Sequence, residues 1–491
     1  MKFQRDFLSF FLVLPLMGSV PTCVVAQASR ENTISTPRPL DPSTNSTNPS
    51  TAATQAQNPF LGSITIAPLQ PGVRMLSLND AVQLALRANL GLIDATQATS
   101  AARAERMRTL SELLPHLNAM ATEHYVETET DAATGGGKAG LHHIIGPYNY
   151  ESLGLELREN AFDMRTLHRL RGAKIEDDAL RASSLDSRNI VVLAAASAYI
   201  AIDASQSRVR TDEAELESAK AVEKLMKDRV ERGVSPRIEW IRAQVAERTA
   251  QQRLDLAKVQ MQKDKYALTR VIGLSIDQEF DLTTPLNDDA VPETNLDELM
   301  EKARTNRNDL KAAEQLKLVA VESVKAEQTR RLPSMNIDAQ YGAAGITSAH
   351  LYSNFNVSGT LRVPLFTSGE IAAEVHRAKS AEVRRNAEYQ DLENRVRYDV
   401  RSAYLDVQSA ERSVSVASQN LDLAKEGMKE AKDRFDVGVS NFVDLLEGQQ
   451  ELAEAEDNYI SSVYAHNLAK LMLIHATGTA EKELSLYVGE K

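Results

Sequence analysis

The feature that most constrains this chain is an internal duplication that carries a long heptad seam. Leu114-Pro115 recurs as Leu332-Pro333, and Leu78-Asn79-Asp80 with Leu92 recurs as Leu296-Asp297-Glu298 with Leu310, all at one spacing. Ala198-Tyr199, Asp228-Arg229 and Gly233-Val234-Ser235 recur as Ala403-Tyr404, Asp433-Arg434 and Gly438-Val439-Ser440, at a second, shorter spacing. Self-similarity of this kind means two copies of one structural unit. The change of spacing puts an extra segment between Pro115 and Phe162, where Gly135-Gly136-Gly137 and His142-His143 predict a longer exposed loop.

In the second copy Val396, Val400, Ala403, Val407, Ala410, Val414, Ala417, Leu421, Ala424, Met428, Ala431 and Phe435 alternate spacings of four and three. Their counterparts are Val191, Ala195, Ala198, Ile202, Ser205, Val209, Asp212, Leu216, Ala219, Glu223, Met226 and Val230, and only Ser205, Asp212 and Glu223 interrupt the apolar seam. A period of 3.5 predicts left-handed supercoiling against neighbouring helices, and the many Ala permit close approach. A helix over 164–232 would be roughly 100 Å long at 1.5 Å per residue, a rod unable to bury itself alone. Each rod ends at a turn. Gly233 suits the left-handed position, Ser235 is the expected cap of the next helix and Pro236 its first residue; Gly438 and Ser440 repeat the first two roles. Returning helices are expected over 237–272 and 441–476, closing at Gly273 and Gly478.

Ahead of each rod come a helix and a pair of strands. Leu78, Ala81, Val82, Ala85 and Leu86 form one buried stripe of a helix expected to run to Pro115. Met335, Ile337, Ala339 and Tyr341 alternate with Asn336, Asp338 and Gln340, and Phe355, Val357, Gly359, Leu361 and Val363 with Asn354, Asn356, Ser358, Thr360 and Arg362. One polar and one apolar face fit either a half-buried soluble sheet or a barrel wall between lipid and water. First-half strands near 117–128 and 148–158 alternate less cleanly. The copies are placed at 76–273 (strand pair 116–159, hairpin 164–272) and 296–478 (strand pair 334–363, hairpin 369–477). A connector over 274–295 and a tail over 479–491 complete the division.

Lys2 and Arg5, the apolar run 7–20 and Ala26-Gln27-Ala28 predict a signal peptide over 1–28. That run is broken by Pro15, Gly18 and Pro21 and is shorter than the ~20 residues a spanning helix needs. Residues 29–75, rich in Ser, Thr, Asn and Pro, are expected to be a flexible extension. No uninterrupted apolar run of spanning length follows residue 30, so entry into a membrane has to use β-strands. The single cysteine, Cys23, lies in the signal segment. Its lipidation is the alternative to simple cleavage, disfavoured by Thr22 before it, and the mature chain is left without a thiol-based site.

Function classes narrow on composition. A net charge of -12 and a pI near 5.4 argue against nucleic acid as a partner, since phosphate binding needs local excess of Lys and Arg. Aromatic residues are only 5%, and the long stretches of Ala, Glu, Lys, Arg, Leu and Gln suit helices in lateral contact better than a compact enzyme. The nine His include no His-Glu-x-x-His pair, and Gly135-Gly136-Gly137-Lys138 lacks the spacing and the following hydroxyl of a phosphate loop. Neither catalysis nor a cofactor or metal is expected.

Over 76–478 this order of elements resembles the TolC-type outer-membrane efflux family. The sharper local marks are Val363-Pro364-Leu365-Phe366 leading to Gly369, and Val437-Gly438-Val439-Ser440-Asn441-Phe442-Val443-Asp444-Leu445-Leu446 at the second turn. The first half departs at Glu159-Asn160-Ala161-Phe162-Asp163, which lacks the Pro and Gly. The resemblance implies an α+β membrane protein, a homotrimer whose strands, four per subunit, close a β-barrel in outer-membrane lipid. Twelve long helices would continue it as a periplasmic α-helical coiled-coil barrel. It implies an exit duct of an efflux or type I secretion system, coupled to an inner-membrane transporter through a periplasmic adaptor, with drug, metal or protein cargo left open.

For site residues, the resemblance implies that Asp444, Glu447 and Glu239 line a periplasmic aperture, with Phe435 and Arg237 beside them. Gly233, Val234, Ser235, Gly438, Val439 and Ser440 become the adaptor-contacting tips. Acids in a first helical turn also stabilise the helix by roughly 0.3 to 1 kcal/mol through its dipole, which alone would explain them. Ser440 stands where family members carry a closing Arg, for which Arg237 or Arg434 would substitute. The competing reading is a periplasmic coiled-coil scaffold or adaptor. Heptads alone support the first, whereas an adaptor would have one hairpin and no duplicated strand pair.

Overall fold

The computed structural model describes residues 58–66, 68–129, 144–283, 295–346 and 350–488, all within one unit, Thr54–Lys491. The expected signal segment, most of the expected extension, residues 130–143 of the expected loop and much of the expected connector lie outside the described residues. After a 3-10 turn at Pro59–Leu61 come β1 (Arg74–Leu76), α1 (Leu78–Ala88), α2 (Leu90–Ser111), β2 (His116–Glu129), β3 (Ile144–Phe162), α3 (Met164–Glu231) and α4 (Arg237–Ile272). β4 (Phe280–Leu282) leads into α5 (Leu296–Asn306), α6 (Asn308–Thr329), β5 (Ser334–Gly345), β6 (Tyr352–Arg362), α7 (Glu370–Asp436) and α8 (Phe442–Ala476). A last helix, α9 (Ala480–Val488), follows.

The helix expected to run from Leu78 to Pro115 is instead two helices, broken at Asn89 in extended conformation. The Asn89 side chain accepts from Gly91 N at 2.9 Å and donates to Phe60 O at 2.6 Å. The second copy breaks in the same way at Arg307. A break leaves backbone groups unpaired, and the preceding chain satisfies them: Ile64 N donates to Ala88 O and Leu90 N to Gly62 O. Residues 58–66, expected to be flexible, therefore form a strap over the first break. β1 pairs in parallel with β4, from Arg74↔Phe280 to Leu76↔Leu282, and ties the start of the first copy to the connector.

The two rods, α3 and α7, contain 68 and 67 residues, about 100 Å each at helical rise. Seam positions Val396, Val400, Ala403, Val407, Val414, Ala417, Leu421 and Phe435 are buried within the subunit. In α3 the run 190–202 is nearly all apolar. That helix holds the one stretch among the described residues long and apolar enough to cross a membrane, with 61% of it buried inside the subunit. Its apolarity has a packing cause. Here α3 meets α1, α4, α8 and α9, and Val191, Tyr199, Ile202, Ile272, Leu471 and Leu484 share one core. The expected tail is thus helical, because Ala480, Leu484, Tyr487 and Val488 close that core.

The remaining strands form one antiparallel sheet in the order β2-β3-β5-β6, with the outer edges of β2 and β6 unpaired in the subunit. Register puts Leu117, Leu157, Ala339 and Val357 in one row and Ala119, Leu155, Tyr341 and Phe355 in the next. The intervening row is polar: Asn118, Glu156, Gln340 and Asn356. Glu156, nearly buried on this face, accepts from Arg158 at 2.7 Å and from Gln340 at 3.1 Å. The apolar face is bare: Tyr341 is 67% and Phe355 73% exposed. A soluble sheet of this width would bury that face against another layer.

Candidate functional site

The duplicated turns at the ends of the rods have one backbone geometry. Val234 N donates to Arg229 O and Val439 N to Arg434 O, both at 2.9 Å, while Gly233 N and Gly438 N donate one residue further along the last turn. This closure places Gly233 at φ 72° and Gly438 at φ 79°, the left-handed region where a Cβ is strained even though open space surrounds both. Val234 and Val439 are exposed. The expected Ser caps are displaced by one residue. α4 starts after Pro236, which makes no side-chain cap, and α8 is capped by Asn441, whose Oδ1 accepts from Val443 N at 2.8 Å and Asp444 N at 3.0 Å. The reversal uses Ser235 and Ser440 before helical geometry resumes.

Glu239 and Asp444 occupy the same place in the first turns of α4 and α8, and Glu447 lies one turn beyond Asp444. Asp444 and Glu447 are exposed and Glu239 is half-buried; among the described residues none of the three carboxylates has a hydrogen-bond or ion-pair partner. Arg237 is exposed and likewise unpaired among them, whereas Arg434 is engaged by Glu430 one turn back in α7. Each turn thus presents an unneutralised first-turn acid beside bare backbone.

Phe435, expected beside the aperture, is instead a packing residue, only 4% exposed. Its ring meets Phe442 edge-on with centroids 6.3 Å apart, and the Arg229 guanidinium lies over it at 4.7 Å. Met226, Ala243 and Leu445 complete a small core that fastens one hairpin tip to the other. Trp240 Nε1 donates to Glu223 at 2.6 Å. The sequence signal for this contact was the polar interruption of the seam at Glu223, which has a partner waiting across the hairpin. Ser205, a second interruption, donates to Ala201 O at 2.8 Å and to Asp264. At the third, Asp212, burial raises the carboxyl and Glu215 adds to the shift, with Arg253 and Arg208 opposing.

A second polar constellation sits at the α5/α6 break. Arg307 donates to Asp309 at 2.6 Å and to Asp399 at 3.0 Å. Beside it, burial and the Asp309 charge push Asp186 up to about 7, and burial pushes His475 down to about 4. Arg307 thereby ties the second copy's joint to α7 through charge-assisted bonds.

A sheet bare on its apolar face, two helical hairpins and matching acid-bearing tips define a duplicated α+β chain. The family profile described as "Outer membrane efflux protein" matches residues 81–274 and 299–479, one span in each copy. The chain belongs to the outer membrane efflux protein family, and its place is the outer membrane with a long helical extension into the periplasm. It is 29% identical over 195 residues to Outer membrane protein TolC of Vibrio cholerae, covering 38% of this chain and 44% of that protein, less than half of the relative's length. It is 24% identical over 331 residues to the pyoverdine export outer membrane protein OpmQ of Pseudomonas putida, covering 63% of this chain and 67% of that protein. The Campylobacter jejuni CmeC outer membrane channel shares the fold with a TM-score of 0.73 at 18% identity, over 88% of this chain and 95% of that one.

Proposed function

We propose that three copies of the chain close into one passive exit duct, their sheets forming a barrel in outer-membrane lipid and their long helices a periplasmic tunnel. The observation that carries this reading is the open four-stranded sheet, apolar and bare on one face, polar on the other, with two free edges. Closing a ring of such sheets removes every edge and gives the apolar face lipid for a solvent. A periplasmic scaffold has no use for that face. The duct receives its cargo from an inner-membrane transporter through a periplasmic adaptor that docks on Gly233, Val234 and Ser235 and on Gly438, Val439 and Ser440, and it catalyses no reaction. Asp444, Glu447 and Glu239 ring its narrow end, where their field draws in cations.

Planar-bilayer recording on purified protein tests this. Cation selectivity and block by multivalent cations are expected, and both disappear when Asp444→Ala and Glu447→Ala are combined on an intact trimer. Unchanged selectivity and block in that variant would place the constriction elsewhere.

A further inference from the structure

The two joints, at Asn89 and Arg307, break their helices alike but are held by different chemistry. The first is closed by neutral groups. Asn89 and Gly91 lie under the strap, where a Cβ on Gly91 would come within 2.5 Å of the Phe60 ring, and Ser63 Oγ donates to Arg270 O at 2.5 Å. At the two repeat spacings the counterparts of Asn89, Gly91, Ala194 and Arg270 are Arg307, Asp309, Asp399 and His475, so the second joint carries an ionisable side chain at all four places. Arg307 is its hub, donating to both Asp309 oxygens at 3.0 and 2.6 Å and to Asp399 at 3.0 Å. Asp186 of α3 and His475 in the last turn of α8 both feel the Arg307 and Asp309 charges. Asp186 is partly buried and has no hydrogen bond or ion pair among the described residues, and His475 Nδ1 is buried without a hydrogen-bond partner among them. The turn after His475 packs directly on Arg307, since a Cβ on Gly478 would lie 2.9 Å from its backbone N. Other charges at this level are taken up: Arg188, two residues past Asp186, holds Glu481 of α9, and Lys302 of α5 reaches Glu483 at 3.5 Å.

We propose that Asp186 and His475 form a proton-compensating pair, which keeps the second joint shut with constant strength as the surrounding pH changes. A carboxyl and an imidazole drawn into one desolvated cluster are both driven toward their uncharged forms. Burial and the Asp309 charge push Asp186 up to about 7, and burial with the Arg307 charge pushes His475 down to about 4. When the joint opens to water, the two groups return toward 3.8 and 6.5. Between about pH 4.5 and about pH 6.5 the closed joint therefore holds one proton, on Asp186, and the open joint also holds one, on His475. Equal proton counts make opening indifferent to pH in that window. Alone, each group would tilt the balance by about tenfold per pH unit. Asp186, which releases its proton on exposure, favours opening as pH rises; His475, which gains one, favours opening as pH falls. The first joint, closed by neutral groups, needs no such compensation.

Hydrogen–deuterium exchange of the full-length protein in detergent tests this. Protection is read over 303–311 in the second joint and over 85–91 in the first as control, each corrected for the intrinsic pH dependence of amide exchange. In the parent protein, second-joint protection is expected to change by no more than about twofold between about pH 4.5 and about pH 6.5. In Asp186→Asn it should rise over that interval by on the order of fiftyfold, and in His475→Gln it should fall by a similar factor. Combining the two substitutions should restore a flat profile, with the first joint unaffected throughout. A steep profile in the parent, or single variants whose profiles are flat or slope the same way, would overturn the pairing. If His475→Gln does not fold, the parent and Asp186→Asn decide the matter: the proposal requires a flat profile in the one and a rising profile in the other.

Discussion

Phe442→Ala isolates the contribution of the tip core. The ring is 1% exposed, meets Phe435 edge-on at 6.3 Å and packs in a cluster that also holds Met226, Ala243 and Leu445. Truncating a buried Phe to Ala costs roughly 3–5 kcal/mol. This cluster is separate from the main core around α3, so the loss falls on local opening of the tips rather than on global unfolding. At ~1.4 kcal/mol per decade, even the lower figure raises the opened population about a hundredfold. Arg229, Arg232, Arg237 and Arg434 lie in or beside the turns, and trypsin cleavage there follows that population when opening is fast relative to cutting. Limited proteolysis of the detergent-solubilised protein should therefore show tip cleavage accelerated by about that factor, with the thermal unfolding temperature little changed and a smaller effect for Phe442→Leu. Unchanged tip cleavage, or a large fall in unfolding temperature without it, would refute an independent tip core.

Gly233→Val combined with Gly438→Val forces a β-branched residue into the left-handed region at about 1–2 kcal/mol per turn, so export should fail while trimer yield holds. Normal export in a complementation assay would remove the turns from the docking surface. Glu239→Ala should weaken cation selectivity less than the Asp444 and Glu447 pair, because the first copy supplies one acid against two; an equal or larger loss contradicts that order. Asp186, held near 7 against 3.8 unperturbed, keeps a proton when folded that the unfolded chain releases, so its contribution to stability falls as pH rises through this window. Asp186→Asn should raise the unfolding temperature above that of the parent protein at about pH 8, with the gain vanishing toward about pH 4. His475 titrates in both proteins, so the difference reports Asp186, and a gain independent of pH would refute the burial argument.

The rods were legible because a seam spaced four and three residues apart is itself a burial pattern: every seam position from Val396 to Phe435 is at least half-buried. The helix breaks were not. Asn89 and Arg307 are neither Gly nor Pro, and both breaks are imposed by chain remote in sequence. A Cβ on Gly273 would lie 2.4 Å from that of Ala88, and one on Gly478 would lie 2.9 Å from Arg307 N. First-copy strands alternate imperfectly, with Met120 on the polar side, so their faces emerge only from pairing with β5. At the tips the acid positions could be placed from the resemblance. The contact of Arg229 with Phe435 could not, because it joins helices from both copies.

Whether three copies close their open sheets into one wall is read most directly by native mass spectrometry of the protein extracted from the outer-membrane fraction. A single species of three chains, released by detergent only, is expected. A monomer recovered without detergent from the periplasm would contradict the exit-duct reading.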